Sequence, residues 1–361
     1  MRKGEAWRLL VRMHKFLALL NPHLLLHKPL FLVRVSFRLF ALKWFKTDPL
    51  IGINFASHYQ CNFNCRHCYE QEFRKKTLKP RLTLEEKKSI LRDCIGMGVV
   101  NVTFVGGEAT IDPDLDALIL ACSPWKTYIA IATNGFTLTQ DRIIHYKKLG
   151  VDKFCFSIDS MDPAEHDHNR GRAGSHQRVL QAIQDVKKLG IDVSVQYVVY
   201  KDSTKRADFL QVVEYAVQQG IRLQFKPVIP FGGVDRQQEL LITPEDSEVM
   251  LALHKKNPML IRDSYGGGCP AFQNTITINP YGEVQPCNAV PVSFGNLKEH
   301  SLREILRKGR SISFFNGRYD GCPPAEDMDF INQCMAGREN LRVVPAAEEV
   351  FKELRFYSGP R

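Results

Sequence analysis

The chain has 361 residues, of which 44% are hydrophobic and 24% charged. This length allows one large domain with a smaller one, and the composition excludes disordered and collagen-like proteins. The formal net charge is +10, but the segment 1–48 carries ten Lys or Arg residues against two acidic ones and supplies +8 of it. Because the rest of the chain is nearly neutral, the charge does not indicate a nucleic-acid-binding protein.

The basic segment 1–48 predicts two amphipathic helices, over residues 7–20 and 30–45. Basic residues recur at helical spacing in both, as at Arg8 and Arg12 and again at Arg34 and Arg38. No apolar stretch reaches the roughly 20 residues of a membrane span. Basic residues beside Trp, Phe and Leu are typical of a helix in a membrane interface. Three interpretations stay open: peripheral contact with the inner face of a membrane, a helical layer packed on the following domain, or an arm that holds a partner.

From residue 51 onward, strand and helix patterns alternate. Strands are predicted over residues 51–57, 101–105, 128–133, 153–158, 191–199 and 222–227, and helices over 83–97, 114–122, 139–149, 177–189 and 207–219. This alternation predicts an α/β fold with a parallel sheet and outer helices, either a partial barrel or an open sheet. After about residue 230 the pattern changes to Gly-rich and Cys-bearing segments with short strands, which indicates a second module.

Three of the ten cysteines lie close together, directly after the first predicted strand. Cys61, Cys65 and Cys68 have the spacing C-x3-C-x2-C. No cleavable signal peptide is recognised before them, so metal-ligating thiolates in a reducing, cytoplasmic compartment are favoured over a disulfide framework. Three thiolates on one loop can bind three irons of a cubane cluster and leave the fourth iron open. The alternative is a zinc site completed by His58 or His67.

The cysteine loop resembles the signature of the radical S-adenosylmethionine (radical SAM) superfamily, and so does Gly106-Gly107-Glu108 at the end of the second strand. The resemblance implies a partial (β/α)6 TIM-like barrel. In it, S-adenosylmethionine chelates the open iron of a [4Fe–4S] cluster and is cleaved to a 5′-deoxyadenosyl radical that abstracts hydrogen from a substrate. It also implies a flavodoxin, a ferredoxin or another reductase as electron donor. His67 is expected beside the adenine and Glu108 at the methionine ammonium, although Ala109 stands where the family usually has Pro.

The resemblance also implies that polar residues at the ends of the third and fourth strands, and just beyond them, bind the cofactor. For the third strand, a plain β-turn is the alternative. For the two arginines after the fourth strand, it is a solvated loop. The residues are Thr133, Asn134, Ser157, Asp159, Arg170 and Arg172.

The C-terminal region is similar to the SPASM or twitch module, which binds auxiliary clusters in peptide-modifying radical SAM enzymes. The similarity rests on a C-x12-G-x4-C pattern and on two later cysteines, and it implies one auxiliary [4Fe–4S] cluster, with zinc as the alternative. The expected ligands are Cys269, Cys287, Cys322 and Cys334. Three cysteines within helix or strand patterns are predicted to be core residues: Cys94, Cys122 and Cys155.

These expectations divide the chain into a basic amphipathic helical segment (1–48), a radical SAM partial barrel (49–230), an auxiliary-cluster module (231–345) and a tail (346–361). The resemblance favours an enzyme that modifies a peptide or protein by radical hydrogen abstraction. A membrane-surface enzyme acting on a lipid, isoprenoid or porphyrin-like substrate is the second hypothesis. The third, a non-catalytic iron–sulfur or zinc scaffold, is disfavoured because the cysteine and Gly-Gly-Glu motifs occur together.

Overall fold

The computed structural model describes residues 28–45, 50–74, 80–234, 237–262, 269–315, 319, 321–335 and 346–351. Its centre is one sheet with the strand order β7-β6-β5-β4-β3-β2-β1-β8-β9. In chain order the strands are β1 Gly52–Ala56, β2 Asn101–Val105, β3 Tyr128–Thr133, β4 Lys153–Ser157, β5 Asp192–Val199, β6 Arg222–Pro227, β7 Leu260–Arg262, β8 Thr275–Ile278 and β9 Val284–Gln285.

The sheet is an unclosed, barrel-like α/β sheet, as predicted. All neighbouring strands are parallel except β8 and β9. The six predicted strands are confirmed as β1 to β6. The region after residue 230 adds β7 beside β6 and β8 beside β1, so it continues the sheet at both edges. The sequence pattern therefore changes at about residue 230, but the segments before and after this point share one sheet.

Helices follow the strands as the sequence predicts, with one correction. The charged stretch after β4 was expected to be a loop, but residues 163–170 form a helix that Asp162 caps and that ends at Gly171 in the left-handed conformation. The helices of the described residues are α1 Pro29–Phe45, α2 Gln71–Arg74, α3 Leu84–Gly96, α4 Leu115–Ala121, α5 Gln140–Leu149, α6 Pro163–Arg170, α7 Ser175–Lys188, α8 Ala207–Gln218, α9 Pro244–Lys256, α10 Leu302–Ser311, α11 Pro323–Glu326, α12 Met328–Cys334 and α13 Ala347–Val350.

The two faces of the sheet differ in chemistry. Aromatic and branched residues at alternate positions, such as Phe104 and Phe225, are buried with residues of the outer helices in one core cluster. Successive side chains of a strand point to opposite faces. The residues between them therefore face the inside of the barrel, where most are polar and only half buried: Asn54, Thr103, Gln196, Gln224 and Lys226. The structure thus has an apolar layer outside the sheet and a polar lumen inside it.

Helix α1 packs across the amino ends of the strands. Phe31 and Val35 form a small buried cluster with Val100, Tyr128 and Ala130, which lie at the starts of β2 and β3. Of the three interpretations of the N-terminal segment, packing on the following domain is the one for which this helix shows contacts. The predicted helix over residues 7–20 lies outside the described residues.

Three basic residues in α1 and at its entry, Lys28, Arg34 and Arg38, point toward the body of the protein. Lys28 Nζ lies 2.5 Å from Asp152 Oδ2 and also donates to two backbone carbonyls. Arg34 and Arg38 donate to carbonyls at the carboxyl end of α3, with Arg34 Nη2 2.8 Å from the carbonyl oxygen of Ile95. These contacts place positive charge at a helix C-terminus, which the helix dipole favours.

Three cysteines that we predicted to be core residues are buried in the structure. Cys94 lies in α3 and Cys122 follows α4, and both belong to the core cluster between sheet and helices. Cys155 is buried in β4. The prediction is confirmed for all three.

Candidate active site

The cysteine loop begins beyond the carboxyl end of β1, at the edge of the sheet where ligands bind in parallel α/β folds. Cys65 is buried, and Cys61 and Cys68 are half buried. Burial raises the pKa of Cys61 to about 11 and that of Cys68 to about 12. Thiolates at these positions need a compensating positive charge, and a bound metal centre supplies one.

The Gly-Gly pair after β2 brings this second loop against the cysteine loop. Gly106 has a φ of +111°, and a Cβ there would lie 2.3 Å from the carbonyl oxygen of His58. A Cβ on Gly107 would lie 1.9 Å from the carbonyl oxygen of Gln60. Two backbone hydrogen bonds join the loops at the same place, from Gly107 N to His58 O and from Glu108 N to Gln60 O. Only glycine fits this approach without a shift of the cysteine loop.

Glu108 is a buried carboxylate with a relative exposure of 1%. Its Oε1 accepts from the Thr110 amide and hydroxyl and from Thr133 Oγ1, while its Oε2 accepts from the Asn134 amide at 2.7 Å. Burial raises the pKa of Glu108, and these hydrogen bonds counter part of that rise. A carboxylate offers about four acceptor positions, two on each oxygen. Oε2 therefore keeps one for a further donor.

Thr133 and Asn134 have a role that the sequence did not reveal. Besides holding Glu108, Asn134 donates from Nδ2 to Asn62 Oδ1 of the cysteine loop at 2.8 Å. The turn after β3 thus joins the Gly-Gly-Glu loop to the cysteine loop. Direct contact of Thr133 or Asn134 with a cofactor stays a prediction.

Asp159 and Arg170 form a buried ion pair beside the cysteine loop, with Arg170 Nη2 2.6 Å from Asp159 Oδ1. Arg170 Nη1 also lies 3.9 Å from Cys65 Sγ. Although burial raises the pKa of Asp159, Arg170 and two nearby histidines bring it below the ordinary value, so the carboxylate is ionised. Asp159 Oδ2 is buried, and no described residue donates a hydrogen bond to it.

The remaining predicted cofactor residues divide between buried and exposed positions. His67 is largely buried, with Nε2 3.9 Å from Asp159 Oδ1, and burial lowers its pKa, so the ring is neutral at neutral pH. Ser157 is half buried at the end of β4. Arg170 is buried, so the solvated-loop interpretation is wrong for it. Arg172 is exposed, and its guanidinium carbon lies 4.6 Å from the centre of the Phe136 ring.

The four C-terminal cysteines lie at the ends of short elements. The amide of Cys269 donates to the carbonyl of Tyr319, three residues before Cys322. Cys322 precedes α11 and Cys334 ends α12, so two short helices connect them. Cys287 follows β9, and the next residue, Asn288, donates from Nδ2 to the hydroxyl of Tyr69, which follows Cys68. The four residues therefore belong to one C-terminal region that reaches the cysteine loop.

The residue types suit a cubane cluster with S-adenosylmethionine on its open iron, because three cysteines share one loop. Among the described residues, however, no group of three or more His, Cys, Asp or Glu side chains is placed to hold a metal ion, so the three sulfurs are assigned to a cluster by their sequence pattern. An unused acceptor position on Glu108 suits an ammonium group. The unpartnered Asp159 Oδ2, beside the buried His67 ring, suits a polar donor of the same ligand.

Comparison with known proteins agrees with this arrangement. The sequence model of the radical SAM superfamily matches residues 57–223, and that of an iron–sulfur cluster-binding domain called SPASM matches residues 269–334. The PqqA peptide cyclase of Methylocella silvestris is 23% identical over 295 residues, which cover 74% of this chain and 76% of the relative. The AdoMet-dependent heme synthase of Methanosarcina barkeri is 23% identical over 279 residues, covering 68% of this chain and 78% of the relative.

Two solved structures share the fold. SuiB of Streptococcus suis bound to S-adenosylmethionine aligns with a TM-score of 0.57 and 16% identity, over 74% of this chain and 68% of SuiB. The enzyme anSMEcpe with bound AdoMet and a peptide aligns with a TM-score of 0.56 and 16% identity, over 71% of this chain and 80% of that protein.

Proposed function

Because the chain belongs to the radical SAM superfamily, with a SPASM-type region, we propose that its substrate is a peptide or protein. The protein is an enzyme, and its cofactors are S-adenosylmethionine, a [4Fe–4S] cluster and an auxiliary iron–sulfur cluster in the C-terminal region. When bound, these groups supply a 5′-deoxyadenosyl radical that takes a hydrogen atom from the substrate. The electron donor that we propose is a flavodoxin, a ferredoxin or another reductase.

The residues of the barrel would bind and orient these groups. We assign the three cluster thiolates to Cys61, Cys65 and Cys68. Glu108 would accept a hydrogen bond from the methionine ammonium through Oε2, held in place by its four other donors. Asp159 Oδ2 would accept from the same cofactor, since it is buried and the described residues provide no donor for it.

The observation that favours a peptide over a lipid is the polar lumen of the sheet. Gln196 Nε2 lies 3.3 Å from Gln224 Oε1, and Asn54 Nδ2 lies 3.4 Å from Thr277 Oγ1. Each carboxamide has two donors and two acceptor positions, so some remain for the donors and acceptors of a peptide backbone, whereas an acyl or isoprenoid chain would leave those remaining groups unpaired. The PqqA peptide cyclase, named for a peptide, is a relative of this chain.

The substrate class is tested by cofactor turnover. The reduced enzyme is incubated anaerobically with S-adenosylmethionine and, in separate arms, with peptides encoded near its gene, with a lipid extract and with porphyrins. We expect one peptide to increase 5′-deoxyadenosine formation and to change mass. Stimulation by the lipid or porphyrin arm alone would contradict the peptide proposal. The variant with Cys61, Cys65 and Cys68 replaced by Ala is the inactive control.

The ligand assignment is tested by metal content. Because each cubane holds four irons, one catalytic and one auxiliary cluster would give about eight irons and eight sulfides per chain after anaerobic reconstitution. We expect the triple Ala variant of the cysteine loop to retain only the auxiliary half. Full iron content in that variant would contradict the assignment of Cys61, Cys65 and Cys68.

A second proposal concerns peripheral contact with an anionic membrane surface. No helix of the described residues is long and apolar enough to cross a membrane. However, α1 leaves an apolar stripe exposed opposite its packed face, at Leu30 (54%), Val33 (65%), Phe37 (66%) and Phe40 (51%). The preceding segment 1–27 has five Lys or Arg residues and one acidic residue. An apolar stripe next to basic residues is the combination that binds an anionic lipid interface.

Cosedimentation with vesicles tests this contact. We expect the full chain to bind anionic vesicles at low salt, to dissociate at high salt and to bind neutral vesicles weakly. The Val33→Ser/Phe37→Ser variant should bind less, because both side chains are exposed in the structure and their replacement spares the buried face. The same double substitution at the exposed positions Leu210 and Val217 of α8 is the matched control. Equal binding by the wild type and both variants would contradict the stripe as a lipid contact.

A further inference from the structure

Two arginines approach the sulfur atoms of the cysteine loop. Arg74 Nη2 lies 3.3 Å from Cys68 Sγ, and Arg170 Nη1 lies 3.9 Å from Cys65 Sγ. They come from different elements, since Arg74 ends α2 and Arg170 ends α6. Two of the three cysteines assigned to the cluster therefore have a guanidinium group beside their sulfur.

Each arginine is held by a second contact, so its position is set by the fold. Arg74 Nη1 donates to the carbonyl of Phe63 at 2.7 Å, within the cysteine loop itself. Arg170 is buried and paired with Asp159 at 2.6 Å. Burial of a cation is costly unless its donors find acceptors, and here the acceptors include sulfur.

We propose that Arg74 and Arg170 raise the reduction potential of the cluster on Cys61, Cys65 and Cys68. This inference rests on the proposed cluster assignment. Reduction adds one electron to the cluster, and part of its charge falls on the ligand sulfurs. Hydrogen bonds to those sulfurs and nearby positive charge stabilise the reduced form. The effect is strong in a site of low dielectric constant, where the charge is poorly screened.

Arg74 is the better residue to test. Arg170 is paired with Asp159, to which we assign a cofactor contact, so its replacement would disturb two functions at once. Arg74 donates hydrogen bonds to Cys68 Sγ and to the carbonyl of Phe63 in the cysteine loop, and its positive charge also acts on Cys61 and Cys65. Its substitution therefore removes one hydrogen bond to sulfur and a positive charge near all three cysteines, and leaves the proposed contacts of S-adenosylmethionine in place.

The experiment is a redox titration of the reconstituted full-length enzyme, followed by electron paramagnetic resonance. The catalytic signal is identified by its change on addition of S-adenosylmethionine, and the auxiliary signal serves as an internal reference. For Arg74→Met we expect reduction of the catalytic cluster to become about tenfold less favourable, which corresponds to 59 mV for one electron. Arg74→Lys keeps the positive charge but loses the planar guanidinium group that reaches both acceptors, so we expect a smaller decrease in the reduction potential.

The matched control is Arg178→Met. Arg178 is another half-buried arginine, and within the described residues its hydrogen-bond acceptors are the carbonyls of Phe136 and Leu138 and not a cysteine sulfur. We expect its catalytic potential to equal that of the wild type. If Arg74→Met and Arg74→Lys both match Arg178→Met in potential, the inference is overturned.

A loss of cluster in one variant does not obscure the result. The midpoint potential is a property of the clusters that assemble, so partial occupancy leaves it readable. If Arg74→Met assembles none, the comparison of Arg74→Lys with Arg178→Met decides the question by the same criterion. A wild-type protein that binds no cluster on these cysteines would instead contradict the proposed function, and the two failures are thus distinguishable.

Discussion

Replacing Glu108 with Gln separates two roles of this residue, one in folding and one in cofactor binding. A carboxylate accepts on both oxygens, whereas a carboxamide accepts on one and donates from the other. In the favourable orientation the amide oxygen takes the place of Oε1, with its three donors. The amide nitrogen then faces the Asn134 amide, which now donates to Oε2 at 2.7 Å. The buried Asn134 donor loses its acceptor, which costs about 1–3 kcal/mol in the free energy of unfolding.

The same substitution removes the charge that we propose to bind the methionine ammonium. A charge-assisted hydrogen bond contributes about 1.5–3 kcal/mol, so we expect the Kd for S-adenosylmethionine to rise about 10- to 150-fold. Calorimetry on the reconstituted enzyme measures this affinity, and iron analysis confirms that the clusters remain.

Thr110→Val is the matched control for Glu108→Gln. It removes a hydroxyl donor of the same carboxylate at 2.6 Å but keeps the charge. We expect it to lower stability by a similar amount, with little change in the Kd. An unchanged Kd in Glu108→Gln, with iron content at the wild-type level, would refute the ammonium contact.

Three further predictions test the packing of the fold and of the site. Lys28→Met leaves the Asp152 carboxylate buried without its ion pair and should lower the free energy of unfolding by about 3–5 kcal/mol; chemical denaturation measures this, and a value near zero would refute a structural role of the pair. Burial lowers the pKa of His166 to about 4, below its unfolded value of 6.5, so stability is full above pH 6.5 and falls toward pH 4 by at most about 3 kcal/mol. The His166→Asn variant has no group that titrates at this position, so its free energy of unfolding should fall less between pH 6.5 and pH 4. The same pH dependence of the free energy of unfolding in the variant and the wild type would contradict this. Gly107→Ala places a methyl group 1.9 Å from a carbonyl oxygen of the cysteine loop, so the reconstituted protein should bind less iron than the wild type, and equal iron would contradict the close approach.

The fold was predictable where hydrophobic periodicity and glycine signals agree. The strands β1 to β6 and five of the seven helices between them were recognised, because each of these strands is a short apolar run and each of the five helices has a clear amphipathic pattern. Helix α6 was missed because its sequence is almost entirely polar and carries no apolar period. The signal that would have revealed it is Asp162-Pro163 at its start and Gly171 at its end, an N-cap with Pro in the first turn and a C-cap. Short strands were expected after residue 230, but β7 and β8 were not located, because three or four residues are too few to show a period.

Sequence motifs identified most residues of the site, but they did not reveal which of these residues contact each other. Sequence spacing indicates that Glu108 ends a strand near the cysteines. It gives no sign that Thr133 and Asn134 would hold that carboxylate, since they lie 25 and 26 residues further along the chain. Arg74 belongs to no sequence motif that we recognised. It approaches Cys68 because the short helix α2 brings the chain back to the cysteine loop. Such contacts are fixed by tertiary packing, which a single sequence does not record.

The N-terminal segment shows most clearly why charge alone is an incomplete guide. From the sequence, the lack of acidic partners favoured contact of the basic residues with lipid, although packing on the following domain stayed open. In α1 the arginines instead satisfy backbone carbonyls at the end of α3, and carbonyl acceptors are invisible in a list of charged residues. Lys28 does have an acidic partner, but Asp152 lies 124 residues away. With these cations turned inward, the part of α1 left for a membrane is its apolar stripe. Salt-sensitive attraction must then come from the basic residues other than Lys28, Arg34 and Arg38, of which five lie in the segment 1–27, so vesicle binding should weaken when those five are replaced.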